Sequence, residues 1–412
     1  MYLQSAPLAM WRLGFIFHEM AFGLLTVFIP LYVAVFQDTS LLGGPLLALG
    51  VMTSIAIFCS IPASYLWGYL CDKTRHYKVF ILLSFSSIAI ILFLMTLSFA
   101  QNLIVFVILY VVMQILHVAH ESPKNVLVTE HYSRCDWESS FGFYKGVTEV
   151  GFIVGLIAGM FLFSFGLMSA YSFYLCSVLS VISLVLAVAL VADPLIVFER
   201  RLVGIEKKLD YTYRGIEGSS RLMDGLRWDG SIKQDSFFGF AIAIVLFSLA
   251  TSLFFTPLPL YLKELFNGQD QFVYMAYMLN SIGATAGFFL IRRSARSMDT
   301  RKQMPRFILL RSLLVFVLVA IISFTIFPTV ITGILLLCLG FAYAMYYILM
   351  ISLSMEIIPE GKSGLFDGMV SLGAAIGAFL GPFLAHYLHY LPTFVITAVI
   401  FLLAYLTLKV FK

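Results

Sequence analysis

The stretch Gly142-Phe-Tyr-Lys-Gly146-Val-Thr-Glu-Val-Gly151-Phe-Ile-Val-Gly155-Leu-Ile-Ala-Gly159 sets a glycine at every fourth or fifth position of an apolar run. At an offset of 222 residues the same ladder returns as Gly364, Gly368, Gly373, Gly377 and Gly381. With 29 glycines in 412 residues, five coincidences at one offset have odds on the order of one in a thousand over all offsets, so the chain contains an internal repeat. Small residues at this spacing let helix backbones approach closely, which is how membrane helices associate where lipid offers no hydrophobic drive. One ladder alone would mean a generic packing face. Two in register mean a duplicated architecture, with Gly146, Gly151, Gly155, Gly159, Gly368, Gly373, Gly377 and Gly381 assigned to helix packing.

Composition points the same way. Hydrophobic residues make up 61% of the chain and charged residues 12%, with a mean hydropathy of +0.97, which no soluble globular domain averages. Twelve apolar runs of about 20 residues each are long enough to cross a hydrocarbon core of about 30 Å. What remains between them is too short for a separate soluble domain. Five cysteines, odd in number and without a CxxC spacing, indicate neither disulfides nor a metal site. The chain enters its first apolar run at Met10 or Trp11 without a basic leader, which reads as an uncleaved first span. A net charge of +4 carries no indication of nucleic-acid binding, because the basic residues have a topological task.

The expected spans are 10–36, 43–70, 77–98, 103–130, 141–165 and 170–192, then 236–262, 270–291, 306–327, 329–356, 364–389 and 391–411. Lys73, Arg75 and Lys78 lie between spans 2 and 3, eight basic residues lie between spans 6 and 7, and Arg292 to Arg306 lie between spans 8 and 9. The opposite loops carry only Lys263. The positive-inside rule then places both termini in the cytoplasm. Residues 1–192 and 236–412 are expected to form two six-helix bundles, joined by 193–235, whose Leu195, Phe198, Leu202, Ile205 and Leu209 fit a helix lying along the membrane surface. A mobile linker, supported by Gly215, Gly218 and Gly230, is the alternative. Arg292, Arg293, Arg296, Arg301, Lys302 and Arg306 face only Asp299, a cluster suited to anionic lipid headgroups.

A second echo supports the duplication: Pro30-Leu31-Tyr32 ends span 1 and Pro259-Leu260-Tyr261 ends span 7. Six spans per half make the repeat parallel, about an axis along the membrane normal. Between spans 2 and 3 the chain reads Gly68-Tyr-Leu70-Cys-Asp72-Lys73-Thr-Arg75-His-Tyr-Lys78. This run resembles the signature of the major facilitator superfamily, a Gly, an acid four residues on and then a basic cluster. Arg75 stands where that family usually has a second Gly, and the equivalent place in the second half, Gly287 to Arg292, has no acid. Ile358-Pro359-Glu360 ahead of the second ladder also looks like that family. The resemblance implies an all-α fold of twelve transmembrane helices in two pseudo-symmetric six-helix bundles, with spans 1, 4, 7 and 10 lining a central cavity. It also implies a gating role for Gly68, Asp72, Lys73, Arg75 and Lys78, Asp72 bridging the end of span 2 to the other half in one conformation.

Charged side chains inside a bilayer cost several kcal/mol each unless they face a cavity or a partner, so they mark function by default. They concentrate in the first half: His18 and Glu19 in span 1, His117, His120, Glu121 and Lys124 in span 4, Lys145 and Glu149 in span 5. Gln114, His117, Glu121 and Asn125 fall at helical spacing, as one polar stripe facing a wet cavity. Glu19, Glu121 and Glu149 are the candidates for proton coupling, with His117 and His120 tuning them. A buried structural network, pairing Lys145 with Glu149 and Lys124 with Glu121 or His120, is the competing account. Glu130, Glu356 and Asp367 sit near helix ends as interfacial or gating residues. In the second half Tyr343, Tyr346, Tyr347, Met350 and Ser354 line span 10, with Tyr274, Tyr277 and Asn280 on span 8. Aromatic and Met surfaces suit bulky apolar or cationic molecules, so the expected substrate cavity comprises His18, Gln114, Asn125, Asn280, Tyr343, Tyr346, Tyr347 and Met350. Packing and lipid contact are the alternative use of those aromatics.

These residues predict a proton-coupled secondary transporter in the cell membrane, working by alternating access and exporting amphipathic or aromatic small molecules. It is expected to be a monomer that meets substrate, protons and lipid, with no cofactor, no metal and no catalysis. Proton-driven uptake of a small organic solute and a lipid-handling flippase are the alternatives. His117-x-x-His120-Glu121 does not follow the metalloprotease order HExxH, and the absence of a GxxxxGK[ST] loop disfavours ATP-driven transport.

Overall fold

A computed structural model of the chain describes residues 10–130, 137–164, 170–192, 237–294, 300–322, 328–357 and 363–410. The linker 193–235 with its expected surface helix, the loop residues Arg296 and Asp299, and the Ile358-Pro359-Glu360 tail lie outside them, as do the side chains of Asp72, Arg293, Glu130, Arg301 and Glu356. The helices are α1 Arg12–Val33, α2 Pro45–Thr74, α3 Tyr77–Leu94, α4 Leu103–His117, α5 Glu121–Glu130, α6 Trp137–Ser164 and α7 Ala170–Leu190. Then come α8 Phe237–Phe255, α9 Leu258–Leu265, α10 Asp270–Ser294, α11 Thr300–Ile322, α12 Pro328–Ile357, α13 Ser363–Leu388 and α14 Tyr390–Val410.

Among the described residues twelve helical stretches are long and apolar enough to cross a membrane. Most expected boundaries fall within a few residues of them. The ninth span begins at Lys302 rather than at 306, and its expected end at 327 lies outside the described residues. Its basic first turn is helical because Lys, Arg and Gln are good helix formers whatever their hydropathy. Apolar side chains cover the outside, as on α4 (Ile104, Ile108, Val112), α7 (Val178, Val181, Val185) and α14 (Val395, Val399, Leu403). Such a surface is tolerable only in hydrocarbon.

The glycine ladders explain how the helices come together. In the first half α6 packs on α1: a Cβ at Gly155 would overlap the Met20 carbonyl, and one at Gly23 the backbone of Phe152. Gly142, Gly146 and Gly159 turn instead toward α10, meeting Phe288 and Ile291, Phe289 and Tyr274. The second ladder repeats the division of labour. Gly373, Gly377 and Gly381 lie against Val245, Leu249 and Leu253 of α8, while Gly368 meets Tyr65 of α2. Each ladder therefore closes its own half and also seats that half on the other. The α2 and α13 crossing adds a hydrogen bond, Ser54 Oγ donating to the Ala375 carbonyl at 2.9 Å.

Candidate functional site

The fourth span is not the continuous helix that the polar stripe required. α4 starts at a cap, where Asn102 Oδ1 accepts from the Ile104 and Val105 amides at 2.9 and 3.4 Å. It ends at His117, and Val118–His120 is a single 3-10 turn before α5. Pro123 supplies the reason: it has no N–H for the Ala119 carbonyl, and its ring crowds that turn. Gln114, His117, Glu121 and Asn125 are therefore not evenly spaced on one α-helical face. The tighter turn swings His120 inward.

There it meets His18 from α1. The His18 and His117 rings stack at 5.2 Å, and His120 stands edge-on to both at 4.9 and 4.7 Å. His18 and His120 are each 1% exposed, and His117 is half-buried. Phe85 stacks on His18 at 4.5 Å and Phe22 lies 4.3 Å from His117, so the group has an aromatic jacket. His120 Nδ1 lies 2.6 Å from the His117 carbonyl and 3.1 Å from Ser84 Oγ. A carbonyl only accepts, so Nδ1 holds the proton and Nε2 keeps its lone pair.

Nε2 of His120 is 3.5 Å from one Glu121 carboxylate oxygen, and the other oxygen pairs with Lys124. Lys124 is 4% exposed. The ion pair of the structural-network account is thus present on α5. Lys145 takes a different arrangement. Its Nζ lies 5.6 Å from the centre of the Tyr347 ring, across the boundary between halves, with Glu19 and Glu121 as its nearby acids. Glu149 lies beside Ser281 of α10, with Glu19 and Lys145 as its charged neighbours. Asp367 of α13 faces Glu121 and Lys124 from the second half. The 222-residue offset maps Lys145 onto Asp367, so one rung of the duplicated ladder carries opposite charges in the two halves. Among the described residues Glu19, Glu121, Glu149 and Asp367 have Lys124 and Lys145 as their neighbouring lysines.

In the second half Tyr343 and Tyr347 lie 5.6 Å apart, facing that group. Tyr346 points into its own half and stacks on Phe247 at 3.6 Å; Met350 is buried too. Asn280 keeps a buried side-chain oxygen without a partner, and Gln114 lies beside the Tyr110 hydroxyl. Tyr274 donates to the Leu24 carbonyl at 3.5 Å, tying α10 to α1. Arg311 of α11 escaped the sequence reading. It is 1% exposed, donates to Thr251 Oγ1 at 3.3 Å, and lies 5.0 to 5.1 Å from the Tyr343, Phe247 and Phe401 ring centres. No acid of the described residues pairs with it. The signal was present, an arginine in the apolar run from Ile308 to Val319, the same criterion that selected the buried acids.

At the α2 end, Arg75 takes the left-handed conformation, φ 57°, and its amide closes the helix on the Cys71 carbonyl at 2.8 Å. A side chain there costs about 1 kcal/mol or more, which explains why glycine suits the position. Lys73 lies 5.7 Å from the Tyr69 ring, Lys78 donates to the Val188 carbonyl of α7 at 2.7 Å, and Gly68 has open space at its Cα.

A family model described as Major Facilitator Superfamily matches residues 11–366. No curated protein sequence matches the chain. The crystal structure of the human organic anion transporter MFSD10 (TETRAN) is similar in fold, with a TM-score of 0.69 and 16% identity over 98% of this chain and 100% of that one. Twelve spans in a duplicated scaffold, and a family match over most of the length, make this multi-pass membrane protein a member of the Major Facilitator Superfamily of transporters.

Proposed function

We propose that the chain is a proton-coupled secondary transporter that exports amphipathic, aromatic or cationic small molecules across the cell membrane, with both termini in the cytoplasm. Residues 1–192 and 236–412 rock as two bodies around the site between them. The observation that carries this reading is the uneven charge where the halves meet: Glu19, Glu121, Glu149 and Asp367 against Lys124 and Lys145, opposite the Tyr343 and Tyr347 rings. Net negative charge beside aromatic faces attracts organic cations and protons.

Glu149 is assigned the coupling role. It belongs to α6 yet neighbours Ser281 of the other half, so rocking changes its surroundings directly. Glu121 is engaged by Lys124 and balances charge instead. Glu19 sets the local potential with Lys145.

A second reading is transport of an organic anion, the substrate class in the name of the similar human protein. Arg311 favours it, as a buried guanidinium with no acid paired to it among the described residues. Purified protein in liposomes with an internal pH dye separates the two. Proton movement evoked by lipophilic cations supports the first, movement evoked only by aromatic acids supports the second, and silence with both defeats proton coupling.

A further inference from the structure

Nothing in the transport reading uses the cluster of His18, His117 and His120. Each of the three offers a ring nitrogen, and these atoms lie within 4.8 Å of one another. They come from α1 and from the end of α4 with its following turn, two distant parts of the chain, so their convergence is a product of the fold. Both nitrogens of His18 and Nδ1 of His117 are buried without a hydrogen-bond partner. An unpaired polar group in a dry interior is costly, and a ligand removes that cost. With a ring nitrogen from each histidine this close and several ring nitrogens unpaired, a shared ligand is the economical explanation.

We propose that His18, His117 and His120 bind a divalent transition-metal ion of the zinc class. Three imidazoles are a set such an ion accepts, at about 2.0–2.1 Å from each nitrogen, which puts the nitrogens about 3.4 Å apart. His120 is already oriented: Nδ1 is held by the His117 carbonyl and Ser84, so Nε2 is the ligand atom. Glu121 stands 3.5 Å from that nitrogen, supplying either a fourth ligand or the acceptor for an ion-bound water. Phe15, Phe22 and Phe85 exclude bulk water from the other sides. The ion would fasten α1 to the end of α4, beside the turn that Pro123 imposes.

The test uses detergent-purified full-length protein and is independent of any transport assay. Cobalt(II) is added as a spectroscopic probe and zinc is measured by equilibrium dialysis. The expected result is one zinc per chain, intense visible cobalt bands of tetrahedral type, and loss of those bands when zinc is added. His18→Ala and His117→Ala are expected to weaken binding at least about tenfold, while exposed His76→Ala and His386→Ala leave it unchanged. If a variant fails to fold, the wild-type stoichiometry and cobalt spectrum still decide. Well under one zinc per chain in wild type, octahedral cobalt only, or full binding in a folded His18→Ala protein overturns the site. Zinc flux into dye-loaded liposomes marks the ion as cargo; binding without flux marks it as resident.

Discussion

The first and fourth spans meet in each half, and the two meetings differ. The 229-residue offset that maps Pro30 onto Pro259 also maps His18 onto Phe247 and His117 onto Tyr346. Both pairs stack, the imidazoles at 5.2 Å and the aromatic rings at 3.6 Å. Around them the first half gathers Glu19, Glu121, Lys124 and Lys145, while the second gathers rings about the Arg311 guanidinium. Duplication preserved the packing positions and freed the side chains to diverge. Flat rings fill the same space whether polar or not, so the scaffold survives while one half becomes ionisable and the other aromatic.

The largest expected effect falls on what the halves share. Gly155→Leu and Gly377→Leu each drive a side chain into a neighbouring backbone, so both are expected to cost roughly 3 kcal/mol or more and to abolish monodisperse protein by size exclusion. A well-behaved variant in one half only would break the equivalence of the ladders.

Next comes a change confined to the first half. Glu149→Gln keeps the shape but removes the proton site, and proton movement in liposomes should fall by about two orders of magnitude, as for loss of a proton-transfer group. The aromatic half should respond differently: Arg311→Met replaces a desolvated cation with an apolar chain of similar length. Its thermal unfolding is expected to be unchanged or to shift upward, with cation transport retained. Loss of transport there would transfer the substrate site to Arg311 and the anion reading. The smallest effect belongs to Arg75→Gly, which relieves the left-handed strain for a gain of about 1 kcal/mol, read as a small rise in unfolding temperature. A fall would mean that the Arg75 charge matters more than its backbone.

Most of the fold was legible because a bilayer imposes a one-dimensional rule: each crossing needs its own apolar run, whatever its neighbours do. The ladders were legible because close backbone approach admits only glycine, and the match of Gly155 to Met20 and Gly377 to Leu249 follows from that constraint. The candidate site was legible only in part. Glu19, Lys145 and Glu149 were found by depth in the membrane, and Arg311 satisfied the same test unnoticed. The meeting of His18 with His117 and His120 depends on a tertiary contact between spans 1 and 4 that no local spacing encodes. Pro123 was the local clue that the stripe from Gln114 to Asn125 would be interrupted. Tyr346 carried the same helical spacing as Tyr343 and Tyr347, yet it packs on Phe247 inside its own half. Periodicity identifies a face without saying which neighbour covers it.

The most direct measurement compares wild type and Glu149→Gln in the same liposomes, following internal pH while binding of one transported cation is followed separately. Wild type is expected to move protons when the cation is added, and the variant to bind it without moving them. Equal proton movement in both proteins would contradict the assignment of coupling to Glu149.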